Sequence, residues 1–218
     1  MYRFRILVPL LALLLIVPAV PQSDVKKSFN FFLGGKKIDD LSEDNTGGEL
    51  DKQFALGVEM SFGGYDWPVM FALDILASRA DDNFTYRYDY YYYPYGYYYI
   101  DFEAEVEAST FEVDFGIRKT WEFVSSPVRP YIGVGVAVIR GEAELNLVDE
   151  FIGSQTFQDD DIGFGGWVGG GVYWKLGDKF NLGFNVRYST AKVDFDDLGT
   201  NNLDIGGTSA GLILGWGF

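Results

Sequence analysis

Asp204-Ile-Gly-Gly-Thr-Ser-Ala-Gly-Leu-Ile-Leu-Gly-Trp-Gly-Phe218 closes the chain and decides how the remainder is read. Counted back by twos from Phe218, one set of positions is Trp216, Leu214, Leu212 and Ala210. The other set is Gly217, Gly215, Ile213, Gly211 and Ser209. A period of two is that of a strand, because successive side chains point to opposite faces. One face is apolar and aromatic and the other is small. That pattern suits a strand with lipid outside and a crowded interior inside. An edge strand of a soluble sandwich shares the period, so the decision falls to the segments upstream.

Seven more alternating segments precede it. Expected strands cover Ser28–Lys37, Asp51–Phe62, Val69–Arg79, Ser109–Phe123, Tyr131–Ala143, Ile162–Leu176 and Phe180–Lys192. In the second, Phe54, Leu56, Val58, Met60 and Phe62 alternate with Gln53, Ala55, Gly57, Glu59 and Ser61. In the seventh, Phe180, Leu182, Phe184, Val186 and Tyr188 alternate with Asn181, Gly183, Asn185, Arg187 and Ser189. Each is about the length that crosses a bilayer as a tilted strand. The connections alternate between short (63–68, 124–130, 177–179) and long, mostly acidic ones (38–50, 80–108, 144–161, 193–203). Short turns on one rim and long loops on the other characterise membrane barrels. Of five tryptophans, Trp67, Trp121, Trp174 and Trp216 fall at the short-turn rim, where Tyr131, Phe180 and Phe218 are expected to join them in an interfacial belt. Trp167 is expected inside.

The chain opens MYRFR-ILVPLLALLLIVPAV, a positive start and an apolar run too short for a membrane span. The sequence therefore predicts a signal peptide over residues 1–19, cleaved after Ala19, a short segment over 20–26 and one barrel domain over 27–218. There is no Cys, so no disulfide or lipid-modified Cys is expected. A formal charge of −15 argues against nucleic-acid binding, which needs a basic footprint. No other run is long and apolar enough for a spanning helix, so a membrane location requires a closed barrel.

These features, with Arg129-Pro-Tyr-Ile-Gly-Val-Gly-Val136 and Leu182-Gly-Phe-Asn-Val-Arg-Tyr188, resemble the small outer-membrane barrels of the outer-membrane protein A, W and X types. The resemblance spans about residues 27–218. It implies an all-β fold, an eight-stranded antiparallel up-and-down transmembrane β-barrel in a Gram-negative outer membrane. It also implies that Trp216 and Phe218 form the assembly signal read by the barrel-assembly machinery. Function does not follow, because such barrels host adhesins, pores, enzymes and anchors.

Histidine is absent along with Cys, which removes the usual general base, metal ligand and thiol nucleophile. The lipid-A deacylases and omptin proteases share the fold resemblance but depend on His, so their chemistry does not transfer. Glu112 and Asp114 share the inward face of one strand, as paired carboxylates do in glycosidases. With Glu59, Asp74, Arg118 and Arg187 they are expected instead to form an interior ion network in a barrel too narrow for water flow. Gly163-x-Gly165-Gly166 and Gly169-Gly170-Gly171 lack the following helix of a phosphate loop and read as curvature and interior fit. No cofactor or metal is expected. The acidic loop clusters Asp39-Asp40, Glu43-Asp44, Asp81-Asp82, Asp159-Asp160-Asp161, Asp194 and Asp196-Asp197 lack calcium-loop spacing and read as solvated.

Two surface features remain. Ten of the fifteen tyrosines lie between Tyr86 and Tyr99, and Tyr86, Tyr88, Tyr90, Tyr95 and Tyr97 are candidates for an extracellular contact surface or a hairpin arm. Continuing the outward registers toward the long-loop rim places Lys37, Lys52, Arg79, Arg140 and Lys192 at the outer headgroups, where they would meet lipopolysaccharide phosphates. Lys37, Lys52 and Arg79 would form one phosphate clamp. The expected role is non-enzymatic, structural or surface-interacting. The alternatives are a narrow porin-like conduit for small apolar solutes and a soluble barrel with its apolar face inward.

Overall fold

The computed structural model describes residues 25–38, 50–64, 66–92, 96–123, 125–149, 153–177, 179–195 and 200–217. The expected leader (1–19), Tyr95, the 39–49 and 196–199 acidic segments and Phe218 lie outside the described residues, as do the side chains of 84–92 and 96–103.

The strands are β1 (Val25–Lys37), β2 (Lys52–Gly64), β3 (Met70–Tyr92), β4 (Gly96–Thr120), β5 (Val128–Asp149), β6 (Gly153–Leu176), β7 (Phe180–Phe195), β8 (Thr200–Asp204) and β9 (Gly207–Gly217). All neighbours are antiparallel. β1 through β7 pair in sequence, and β9 pairs with both β7 and β1. Each of the eight long strands therefore has a partner on either side, and the sheet closes on itself. Closure leaves no backbone donor or acceptor on a free edge within the ring, the condition for crossing lipid.

Alternation assigns the faces. β7 runs exposed-buried through Lys192, with only Thr190 half-buried. Outward leucines and phenylalanines are half exposed, Phe54 and Leu212 each at 59%, while inward Ala55, Asp74, Asp114 and Ile213 are at 0–1%. Large apolar side chains left uncovered all round a ring mark a lipid-facing belt. The soluble-barrel alternative required the opposite arrangement.

Three departures from the sequence expectations have physical causes. First, 80–108 and 144–161 are not open loops. β3–β4 pairing runs without a break to Tyr92↔Gly96, and β5–β6 pairing to Asp149↔Gly153. Period two continues through both stretches, but acidic residues hold the outer face there, so the composition resembles loop. Second, the last strand is split. β8 extends the pairing of β7, and the chain then shifts at Ile205 and Gly206 before β9 begins at Gly207. Gly207 has φ +112°, open to glycine at little cost, and a Cβ there would fall on the Lys37 carbonyl. Third, Tyr131 does not join the aromatic belt. It is 5% exposed and points inward, one position from the outward Ile132.

Candidate functional site

Eight strands enclose a lumen just wide enough for side chains to fill. Register builds its central row. Glu59 of β2 pairs with Asp74 of β3, and Asp74 with Asp114 of β4, so three carboxylates stand side by side on adjacent strands. Like charges directly opposite are destabilising unless cations lie between them. Two guanidiniums supply them. Arg187 reaches from β7 on the opposite wall, its Nη1 2.6 Å from Asp114 Oδ2 and its Nη2 2.5 Å from Asp74 Oδ2 and 3.4 Å from Glu59 Oε1. Arg118 places Nη2 2.7 Å from Asp74 Oδ2 and Nη1 3.7 Å from Glu59 Oε2, and donates to Ser61 Oγ at 3.0 Å. All five charged groups are at most 4% exposed.

Neutral groups complete the packing. Asn185 Nδ2 donates to Glu59 Oε1 and to Tyr131 Oη, both at 2.7 Å. The Arg118 guanidinium lies 5.0 Å from the Tyr131 ring centre, and that of Arg187 lies 5.0 Å from the Trp167 ring centre. Such stacking is favourable for desolvated cations. Trp167 fits because Gly133 and Gly135 face it. A Cβ on Gly133 would lie 2.7 Å from Trp167 Cη2, and one on Gly135 would lie 2.7 Å from Nε1.

One row outward, Lys36 Nζ sits 2.9 Å from Glu112 Oε2 and 3.3 Å from Thr110 Oγ1, with Lys36 at 2% exposure. Ser78 Oγ joins Thr110 to Gln53. Lys36 is an interior cation outside the network expected from the sequence. The signal was present, since Asn30, Gly34 and Lys36 share one parity. Among the described residues the interior thus holds four buried carboxylates and three buried cations. Beyond them Ile139, Val193, Phe195 and Ile205 are buried together with Leu203 against them, an apolar stopper at the long-loop end. The Asp204 carboxylate holds this stopper in place, accepting from Ala191 N, Gly206 N and Thr190 Oγ1. An internal cavity beside Phe32, Glu59, Leu76, Asn185, Arg187 and Ser209 measures about 10 Å³, room for one water.

On the outer surface, Lys37, Lys52, Arg79, Arg140 and Lys192 are all exposed. Lys37 and Lys52 are direct cross-strand partners. Arg79 lies one row lower, opposite Phe54, and pairs with Glu107 at 2.5 Å; Arg140 pairs with Asp160 at 3.1 Å. Lys192 stands opposite Asp204. The raised hairpins present acids on this same face, with Asp81, Glu107 and Glu144 in one row across β3, β4 and β5. Backbone register places Tyr86, Tyr88 and Tyr90 at alternate positions of β3, opposite Phe102, Ile100 and Tyr98, while Tyr97 of β4, opposite Tyr91, has the other parity. At the base of the β5–β6 hairpin, Asp161 accepts from Ile162 N at 2.7 Å and Asp194 N at 2.8 Å. These two amides, Asp194 first, hold its carboxyl below the usual Asp range. Among the described residues no group of three or more carboxylates converges as a metal site.

Residues 10–218 match the family model described as outer membrane protein beta-barrel domain. The chain belongs to this family. Membership puts it in the bacterial outer membrane, with the short turns toward the periplasm and the raised hairpins outside. No curated protein matches this outer-membrane barrel by sequence. Among solved structures it is similar to Ail of Yersinia pestis in complex with the heparin analogue sucrose octasulfate, at 12% identity and TM-score 0.49 over 89% of this chain and 99% of that one. It is also similar to Neisserial surface protein A, at 15% identity and TM-score 0.42 over 88% and 94%. The E. coli outer membrane protein W in solution shares 15% identity, with TM-score 0.36 over 88% and 97%.

Proposed function

We propose that this outer-membrane barrel is a non-enzymatic surface-interaction protein, a filled barrel that anchors two hairpins raised for contact outside the cell. One observation carries the reading. The β2–β3 pairing ends at Phe54↔Arg79, whereas β3–β4 pairing continues for thirteen more residue pairs, from Ala80↔Ala108 to Tyr92↔Gly96. At about 3.3 Å per residue the arm runs roughly 40 Å along the strand. β3 through β6 have 22 to 25 residues each. A bilayer crossing takes about ten. Ordered strand of that length has no role in spanning the membrane. Among the described residues no strand pairs with β3 above Arg79 on its β2 side, and adding a strand to such an edge is one recurrent mode of protein recognition. The surface offered is acidic, and the absence of His and Cys supports a role without catalysis. Export through the 1–19 leader and assembly through Trp216 and Phe218 belong to the same reading.

The test shortens the arm and leaves the barrel intact. Residues 83–105 are replaced by Asn-Gly, joining Asp82 to Val106, which are already register partners. Cells displaying parent or shortened barrel at equal surface level are compared for self-aggregation and for retention on glycan-coated and matrix-protein-coated surfaces. The parent should exceed barrel-less cells on at least one surface, and the shortened form should lose that gain. Equal retention of parent and shortened cells overturns the proposal, as does a parent no better than barrel-less cells. The conduit alternative is tested beside it, since steady single-channel conductance in planar bilayers would favour transport over contact.

A further inference from the structure

We infer that the β3–β4 arm joins cells to one another, its β3 edge pairing antiparallel with the β3 edge of a second copy in a facing membrane, about a two-fold axis at Tyr88. The inference rests on the reading of the hairpins as contact surfaces and names their partner. β2 leaves β3 at Arg79, and among the described residues nothing else pairs with that edge above it. On the other side, β4–β5 pairing stops at Glu103↔Val148. Beyond Thr85 and Glu103 the described arm is a ribbon of two strands, β3 and β4. A two-stranded ribbon is marginal in water, and independent stability takes three strands or more. A second ribbon added edge to edge makes four.

The sequence of the edge selects the occupant. It reads Phe84-Thr-Tyr-Arg-Tyr-Asp-Tyr-Tyr-Tyr92. Two copies related by a two-fold axis perpendicular to the sheet keep each face continuous, so positions of one parity meet positions of the same parity. With Tyr88 opposite Tyr88, Arg87 of each copy stands opposite Asp89 of the other, and Tyr86 opposite Tyr90. Opposite charges and aromatic pairs directly across antiparallel strands both stabilise the pairing. The neighbouring symmetric registers set Arg87 opposite Arg87, or Asp89 opposite Asp89. The register that sets Arg87 opposite Asp81 would bring Tyr90, Tyr91 and Tyr92 against Ser78, Ala77 and Leu76, positions that β2 already holds. The other raised edges lack this self-complementarity. β4 offers Asp101 and no cation over 96–102, and β6 offers Asp159 and Asp160 and no cation over 153–160.

Strand direction places the second copy. Antiparallel pairing points the two arms at each other, so the two barrels lie in opposed membranes. Copies in one membrane raise their β3 strands the same way and cannot form it. Tyr88 is nine residues beyond Arg79, about 30 Å of strand, so the two headgroup levels stand within about 60 Å of each other. A single contact of this size is weak, and many between two cells add through effective concentration.

Cells with short lipopolysaccharide chains, displaying equal amounts of full-length barrel, are scored for settling and, under two fluorescent labels, for mixed aggregates. The parent should settle faster than barrel-less cells. Arg87→Asp and Asp89→Arg alone should each lose that gain, because each sets like charges opposite one another. Mixed together, the two variants should aggregate with each other as the parent does, because the acids of one then face the cations of the other. The double variant, Arg87→Asp with Asp89→Arg, should aggregate with itself and exclude the parent. Recovery on mixing also shows that both variant arms are formed, which matters because Asp101 of β4 faces Arg87 within the arm. A parent that settles no faster than barrel-less cells overturns the pairing, as do Arg87→Asp cells that settle like the parent or mixed variants that stay apart. If the shortened arm still loses retention on glycan or matrix protein in those cases, the contact reading stands and only the second copy is wrong. A parent that aggregates only once residues 39–49 are replaced by a Gly-Ser linker gives the β3 edge to the chain's own segment and overturns the pairing as well.

Discussion

Replacing Arg187 with leucine removes the guanidinium that reaches all three carboxylates in the central row. Asp74 and Glu59 keep Arg118, at 2.7 and 3.7 Å, and Glu59 keeps Asn185. Among the described residues Asp114 keeps no cation within ion-pair distance, and Trp167 loses the group stacked on it. The interior count goes from four acids against three cations to four against two. Removing one partner of a buried pair costs about 3–5 kcal/mol. The outward Leu182→Ala loses three carbons at about 0.8 kcal/mol each, about 2.4 kcal/mol at most. In urea titrations of the vesicle-embedded barrel, followed by tryptophan fluorescence, Arg187→Leu should lower the midpoint by about 2 M, given a slope near 2 kcal/mol per M. Its shift should exceed that of Leu182→Ala. Adding Asp114→Asn should restore at least half, because the stranded charge goes with it. A double variant no more stable than Arg187→Leu alone, or an Arg187→Leu shift no larger than that of Leu182→Ala, would refute the account of the network.

Deleting Phe218 should lower the amount of barrel in the outer membrane while leaving the unfolding free energy of purified, folded protein within about 0.5 kcal/mol of the parent, the range of surface changes; normal surface levels would count against an assembly role. Gly133→Ala should displace the Trp167 indole and change its fluorescence, because the new Cβ would lie 2.7 Å from the ring, and an unaltered spectrum would contradict that packing. For Asp161, whose carboxyl is held low by backbone amides, the tie from β6 to β7 should persist above the ordinary Asp range and be lost only as pH falls through the lower folded value. Carboxyl chemical shifts report this directly, and titration of Asp161 at or above about 3.9 would sink it.

The closed ring was legible because alternation survives even where composition shifts, and so were most of the inward charges. Glu59, Asp74, Asp114, Arg118 and Arg187 all fall on the inward parity of their segments. What single segments cannot disclose is which residues lie abreast. That Glu59, Asp74 and Asp114 occupy one row, with Arg187 reaching them from the far wall, depends on register across strands that no one segment specifies. The β3–β4 arm is legible in sequence only as an alternative and the β5–β6 arm not at all, because Asp81, Glu107, Glu142 and Glu144 hold the outer face where leucine and phenylalanine hold it lower down. Above the membrane a strand is half wet on its outside, so period two persists with its polarity altered. The inward stopper was hidden likewise, since Val193 and Phe195 alternate with Lys192 and Asp194 in a stretch rich in acid. Tyr131 was misplaced because its neighbourhood at the rim outweighed its parity.

The seam between β1 and β9 pairs Ser28 with Gly217 and Lys37 with Thr208, the two ends of the chain. In hydrogen bonding it is no different from the other seven seams, yet it joins residues more than 170 positions apart. Its closure entropy exceeds that of a hairpin seam, though only logarithmically in length. Its effect on rate is larger, since folding slows as contacts become more distant in sequence. Until it forms, β1 and β9 each offer an unpaired edge, which lipid does not tolerate. An open barrel in lipid therefore carries the cost of those two edges until this seam closes. A circular permutant that links the ends near Val25 and Gly217 and opens the Leu176–Phe180 turn would keep every seam while moving the distant one to β6–β7. Its final stability should match the parent's, and only the order in which the wall is completed should change.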